Sequence, residues 1–346
     1  GHRRRLAVAG YSMTGVMPLL LAIAGSWPLV LGAKLFGWFG KGVRGPVRDA
    51  MLAESVAPEA RGRAFGFHRA GDTIGAVIGP LLGVMVLGSF ASAAATPAVD
   101  TPEPAEAFRA VFLLAFFPGL LAAVTFAVFV RDPARGDRTT TGSFLGAVRS
   151  LPRSFGRYLA GVGLFGVGDF APSLLILAAT ALLTPSQGIV AAGATAGLLY
   201  VLRNAVYALG SYPAGAISDR TRRPVFLLAA GYLLGAAVAG GTAVAFAASI
   251  DHVAYLAVLF VGSGLLAALQ DTLEAVSTAE LAGDTARATS FGLLGTVNGI
   301  GDLVASAGVG LLWTLVSPVV AFVAAATTMA AGAALVAGLV VSGRAR

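Results

Sequence analysis

Charge is what this chain has least of. Only 12% of its 346 residues are charged, whereas 57% are apolar, and the mean hydropathy is +0.82. Soluble domains carry about 25% charged residues. A soluble fold of this length could not cover so much apolar surface, so the composition indicates a membrane protein and excludes soluble enzymes, nucleic-acid binders and secreted domains. Cysteine is absent, which removes disulfides, thiolate metal sites and a cysteine nucleophile. The three histidines, His2, His68 and His252, are too dispersed to suggest a metal site. Neither a metal nor a cofactor is expected. No G-x-S-x-G, H-E-x-x-H or P-loop pattern is present, and the chain does not read as an enzyme. Lysine is nearly missing, since 22 of the 24 basic residues are arginine, a bias typical of GC-rich bacterial genomes.

What is present is a series of long apolar runs. A spanning helix needs about 20 mostly apolar residues. Ten runs qualify: 6–25, 27–50, 64–88, 108–130, 156–183, 189–217, 224–249, 253–275, 289–314 and 318–342. None alternates with the period of a barrel strand, so the expected fold is an all-α, multi-pass membrane protein. The loops 1–5, 51–63, 131–155, 218–223, 276–288 and 343–346, with Arg157, hold 17 of the 24 basic residues. Basic loops remain cytosolic, which places both termini in the cytosol. The opposite loops carry Asp100, Glu103, Glu106 and Asp251. The stretch 89–107 reads as an irregular external loop, and 131–155, with five arginines and two prolines, as a cytosolic linker.

Weak internal repeats run through the chain. Leu6, Ala9, Gly10 and Tyr11 recur as Leu227, Ala230, Gly231 and Tyr232, each set following an arginine cluster. Phe65-Gly66 recurs as Phe291-Gly292, Ile74-Gly75 as Ile300-Gly301, and Asp72 aligns with Asn298. Parallel repeats of this kind mark transporters. The first, seventh and tenth spans contain no charged residue and the fourth only Arg109 at its very start, while the other six carry charge within them. A charge facing lipid is costly, so every third helix is expected at the periphery. This grouping into three-helix units leaves the first unit incomplete. It gives the expectation of two further helices upstream, roughly 60 residues with their loops. The expected organisation is a four-helix bundle over 1–130, the linker 131–155 and a six-helix bundle over 156–346, which is ten helices of twelve.

Three motifs carry a family resemblance. Gly215-x-x-x-Asp219-Arg220-x-Arg222-Arg223 resembles the cytosolic-loop signature of the major facilitator superfamily, without the glycine that usually precedes the basic pair. Gly1-His2-Arg3-Arg4-Arg5 is similar to the tail of the same loop. Gly66-x8-Gly75-x3-Gly79-Pro80-x2-Gly83 resembles that superfamily's antiporter motif, with Val84 in place of the final glycine. Lys34, followed by Gly37, Gly40 and Gly42, resembles the superfamily's basic residue before a glycine-rich run. Glycines at i, i+4 and i+8 clear a helix face for a close neighbour, and Pro80 is expected to bend the helix. The resemblance implies two six-helix halves, alternating access and, through the antiporter-like motif, export.

Depth singles out further residues at about 1.5 Å per helical residue. Asp302 and Asp169 lie thirteen residues into their spans, about 20 Å deep, where a carboxyl without a partner has the properties of a proton carrier. Gly166, Gly168 and Pro172 flank Asp169 and predict a break in that helix. Asp72 is shallower and shares a face with Arg69 by i, i+3 spacing, which assigns it to a structural or gate part. Asp302 has no charged neighbour within four positions on its helix, which points to it as the titrating group. Arg203 is the lone deep cation of the second half, expected to pair with Asp169 or Asp302 or to bind an anion. Lys34 and Asn298 complete the candidate cavity set. Asp219, Arg220, Arg222, Arg223, Arg69, Arg48 and Asp49 form a candidate cytosolic gate, with Asp219 expected against the N-terminus of span 64–88, where the helix dipole favours an anion. Asp271 and Glu274 read as ordinary acids at a cytosolic helix end.

The expected function is secondary active transport, with proton-coupled export of a small molecule as the first reading. A proton-coupled importer of a sugar or metabolite is the alternative, and a membrane sensor or membrane-embedded enzyme is a more distant one. The expected partners are a small-molecule substrate, protons and the lipid bilayer, without nucleic acid. The expected location is the bacterial inner membrane.

Overall fold

A computed structural model describes residues 2–94, 104–130, 148, 151–282 and 287–341. Most of the expected linker 131–155 lies outside the described residues. The expected irregular loop 89–107 is shorter than anticipated, because 89–94 and 104–107 continue the flanking helices and only 95–103 lie outside the described residues. Among the described residues eleven α-helices are given bounds: α1 His2–Ile23, α2 Trp27–Ser55, α3 Arg61–Ala94, α4 Pro104–Phe129, α5 Arg153–Gly166, α6 Pro172–Gln187, α7 Ile189–Thr221, α8 Pro224–Ala247, α9 Val253–Leu281, α10 Arg287–Leu315 and α11 Pro318–Val341. Among the described residues there is no strand, and seven helices are long and apolar enough to cross a membrane.

The expected span 156–183 is two helices. Gly166 and Gly168 weaken the helix, and Pro172 forces Ala171 into an extended conformation, with φ −58° and ψ 142°. The chain turns between them through bonds from Gly168 N–H to Phe165 O, 2.9 Å, and from Asp169 N–H to Gly166 O, 3.2 Å. Ala171 N–H donates to Ser306 Oγ at 3.2 Å, so the break leaves no donor stranded there.

Packing divides the chain into two compact units. One comprises Gly1–Ser55 and Gly75–Arg138, the other Val56–Ile74 and Thr139–Arg346. Within the first, α1 packs on both α2 and α4. Paired glycines allow this: a Cβ on Gly10 would strike Gly40 O at 2.6 Å, and one on Gly15 would strike the Gly119 backbone at 2.7 Å.

Within the second unit, α8 packs on α11 and α9, α7 on α9 and α6, and α5 on α11 and α10. Phe165 stacks on Tyr232 with ring centroids 3.7 Å apart. Leu175, Leu183, Leu199, Leu256 and Phe260 gather α6, α7 and α9 into a buried core. The uncharged helices are not simply outermost. α8 is the most buried of the seven spans, and the charge-bearing α7 and α10 are among the less buried. Small residues let α8 pack closely, and the charge-bearing α9 is the next most buried of the spans.

Candidate functional site

The start of α3 is fastened to the end of α7. Asp219 accepts hydrogen bonds from Gly62 N–H at 2.7 Å, Arg63 N–H at 3.0 Å and Arg63 Nε at 3.1 Å. Its side chain is only 7% exposed. Two first-turn N–H groups of α3 and a guanidinium thus hold one carboxylate, the arrangement that the unsatisfied donors and dipole of a helix N-terminus favour. The backbones touch here, because a Cβ on Gly62 or on Gly215 would collide with the other residue's carbonyl. One turn on, Gly66 meets the Ser211 carbonyl in the same way. Phe65, fully buried, packs on Phe291 of α10 at 6.0 Å. Glu280 lies near enough to Arg61 and Asp219 to act on both electrostatically.

Arg222 closes α7 in the left-handed conformation, φ 54° and ψ 33°, with its N–H donating to Ser218 O at 2.8 Å. This is the place the superfamily signature gives to glycine. The turn is kept and an arginine bears the strain. Arg220 and Arg223 are exposed beside it.

Deeper in the same unit lies a polar network on α7, α9, α10 and the α5–α6 break. Asp169 accepts from Gln270 Nε2 at 2.7 Å. Arg203 donates through Nε to Ser263 Oγ at 2.9 Å and through Nη1 to Asn204 Oδ1 at 3.1 Å. Neither partner is a carboxylate, so the expected Arg203 pairing with Asp169 or Asp302 is replaced by neutral contacts, although Asp169 and Asp271 act on it electrostatically. Tyr207 O–H donates to Asp271, with Arg69 and Thr73 of α3 beside it. Glu274 is 3% exposed. It accepts from Tyr232 O–H at 2.6 Å and Asn298 Nδ2 at 2.6 Å. Its backbone carbonyl accepts from Tyr158 O–H at 3.0 Å.

Glu274 and Asp271 are therefore not ordinary helix-end acids. Ending the span at residue 275 placed Glu274 at the rim, but α9 runs on to Leu281, which sets Glu274 about 10 Å inside its cytosolic end. The signal available in the sequence was a pair of acids, Asp271 and Glu274, amid Thr272, Ser277 and Thr278, with no basic residue within four positions of Glu274.

The other expected residues are dispersed. Asp302 is exposed on α10 and acts electrostatically on Asp169. Burial, the premise for choosing it, is met at Glu274 instead. The side chain of Asp72 is 51% exposed and lies 3.5 Å from His68 Nε2, one turn away. In the first unit Lys34 is exposed on α2, Arg48 bonds Asp49 at 3.0 Å, and Arg3 reaches Glu54 at 2.7 Å. The Arg44 guanidinium lies over the Tyr11 ring at 4.3 Å. Of the antiporter-like glycines, Gly66 alone is in a tight contact. Among the described residues a Cβ on Gly75 or Gly79 would meet nothing within 4 Å, and one on Gly83 would meet only Val111 at 3.6 Å. The side chain of Pro80 lies outside the described residues. Among the described residues no group of His, Asp or Glu is arranged to hold a metal.

Residues 1–189 match the family described as Major Facilitator Superfamily. An uncharacterised MFS-type transporter of Methanocaldococcus jannaschii is 29% identical over 326 residues, covering 92% of this chain and 74% of that protein. Among solved structures, the fucose:proton symporter of E. coli aligns with a TM-score of 0.72 at 15% identity, over 97% of this chain and 83% of that one. A proton:xylose symporter aligns with a TM-score of 0.70 at 15% identity, over 98% and 80%.

Proposed function

The chain belongs to the Major Facilitator Superfamily and is a multi-pass secondary transporter rather than an enzyme; from that premise we propose that it exports a small molecule in exchange for protons by alternating access. The observation that carries the direction is the spacing Gly66-x8-Gly75-x3-Gly79-Pro80-x2-Gly83 in α3. Its first glycine serves the backbone contact to α7, and its later ones leave a face that a neighbour can approach in another state of the cycle. Asp219, Arg220, Arg222 and Arg223 with the start of α3 and Arg69 form the cytosolic gate. Opening to the cytosol separates Asp219 from Gly62 and Arg63. Asp169, Arg203, Asp302, Asn298 and Asp72 serve the substrate and proton path.

The protein resides in a bacterial inner membrane with both termini in the cytosol. Cysteines introduced at Ser186 and Thr221 check this on a background without native cysteine: the first labels from outside intact cells and the second does not. Labelling in the reverse pattern contradicts the orientation. Direction is tested in everted vesicles energised to an acidic interior, where an exporter releases protons as substrate enters. An importer working by symport moves substrate and protons the same way.

A further inference from the structure

Arg203, Asp169 and Asp271 lie within the second unit and act on one another electrostatically, yet they form no ion pair. Each is held by a neutral partner instead. Arg203 donates through Nε to Ser263 Oγ at 2.9 Å and through Nη1 to Asn204 Oδ1 at 3.1 Å. Asp169 accepts from Gln270 Nε2 on Oδ2 at 2.7 Å, and Asp271 accepts from the Tyr207 hydroxyl on Oδ2. These partners leave one end of every charged group uncovered. Among the described residues Arg203 Nη2, Asp169 Oδ1 and Asp271 Oδ1 have no hydrogen bond, and none of the three is closed off inside the bundle.

Packing fixes this arrangement. A Cβ on Gly264, next to Ser263, would strike the Arg203 carbonyl, so α9 lies directly on α7 where the guanidinium is held. A Cβ on Gly301 would lie 3.0 Å from Gly166 Cα, which sets α10 against the break that carries Asp169. Side chains held in place before a ligand arrives lose little freedom when it binds.

Opposite charges kept close but unpaired are costly where water is scarce, unless a further group completes them. Direct pairing would cancel the charges and leave no site. Here hydroxyls and amides keep the cation apart from the acids, and each retains a free edge. The complement of those edges is one carboxylate, for Arg203 Nη2, and one ammonium, for Asp169 Oδ1 and Asp271 Oδ1. A ligand with an anion alone would face both acids. One with a cation alone would leave Nη2 unmet, and a neutral sugar would leave both charges uncompensated.

We propose that the transported substrate is a small zwitterion carrying an ammonium and a carboxylate group, with the carboxylate on Arg203 and the ammonium at Asp169 and Asp271. This rests on the reading of the chain as a transporter and names the class of its substrate. Gln270 and Tyr207 are positioning residues, which hold the two acids with one oxygen turned to the ligand.

Binding is measured on the whole protein in detergent, without a proton gradient, as the rise of melting temperature with ligand concentration, because a ligand of the folded state stabilises it by mass action. The probes are leucine and the ω-amino acids from glycine to ε-aminocaproate, which vary the spacing between the charges. Alkylammonium ions and alkanoates of matching length are the single-charge controls, and fucose is the neutral one. At least one zwitterion is expected to raise the melting temperature, with its single-charge analogues binding about ten- to hundredfold more weakly, the loss of one charged contact. Arg203→Gln is expected to weaken binding by a similar factor, and Arg203→Lys, which keeps the charge, by less. The comparison of analogues needs no variant, so the proposal stays open to refutation if Arg203→Gln fails to fold. No stabilisation by any zwitterion, a single-charge analogue that binds as tightly, or unchanged binding in Arg203→Gln overturns it. A zwitterion that binds in this way but moves no protons in vesicles upholds this assignment and contradicts the exchange reading, so the two failures are distinct.

Discussion

Asp219 and Gly62 are joined by a 2.7 Å hydrogen bond from a backbone N–H at the start of α3 to a carboxylate at the end of α7. The bond has charge behind it, since the same carboxylate takes Arg63 at 3.1 Å, and hydrogen bonds to charged groups contribute about 1.5–3 kcal/mol. Replacing Asp219 with Asn keeps the shape and removes the charge. The expected result is a population shifted toward the state open to the cytosol, about five- to thirtyfold for a loss of 1–2 kcal/mol, with slower transport and unchanged expression. Normal transport rates in Asp219→Asn leave the gate without support.

Gly62→Ala tests the contact itself. The new methyl meets the Gly215 carbonyl, and neither backbone can retreat without moving its helix. Overpacking of this kind costs about 1–3 kcal/mol, so the variant is expected to melt at a lower temperature and to lose transport. Gly75→Ala is the comparison, because its methyl meets nothing. That variant is expected to keep or slightly raise the melting temperature, since alanine is the better helix former. If its transport also falls, the cleared face is used in a state other than this one.

Arg222 gives a prediction of opposite sign. Its left-handed conformation costs a residue with a Cβ about 1–2 kcal/mol relative to glycine. Arg222→Gly is therefore expected to raise the melting temperature in detergent while the Asp219 contacts persist. A lowered melting temperature would mean that the Arg222 side chain contributes more than its backbone conformation costs.

Architecture was legible in the sequence because membranes impose it: apolar runs of fixed length allow few folds, and the order of the helices follows from them. The α5–α6 break was legible in Gly166, Gly168 and Pro172. The placement of Asp219 could be read from the repeat together with helix electrostatics. The Glu274 network could not, because it joins α8, α9 and α10 in space and nothing in the local pattern names Tyr232 or Asn298 as partners. Counting depth along one helix was misled twice. It missed Glu274 through a helix end placed six residues early, and it favoured Asp302, which is deep along the axis of α10 but exposed at its side. Depth along an axis and burial within a bundle are different coordinates, and sequence reports only the first. The neutral partners of Arg203 were hidden for the same reason, since Ser263 lies sixty positions away on another helix.

Proton exchange is the centre of this account, and everted vesicles measure it most directly. With the protein in the membrane, an acidic interior and a pH-sensitive dye, addition of a transported compound is predicted to collapse part of the gradient as the compound accumulates inside. Compound and protons moving in the same direction, or accumulation with no proton movement, would contradict it.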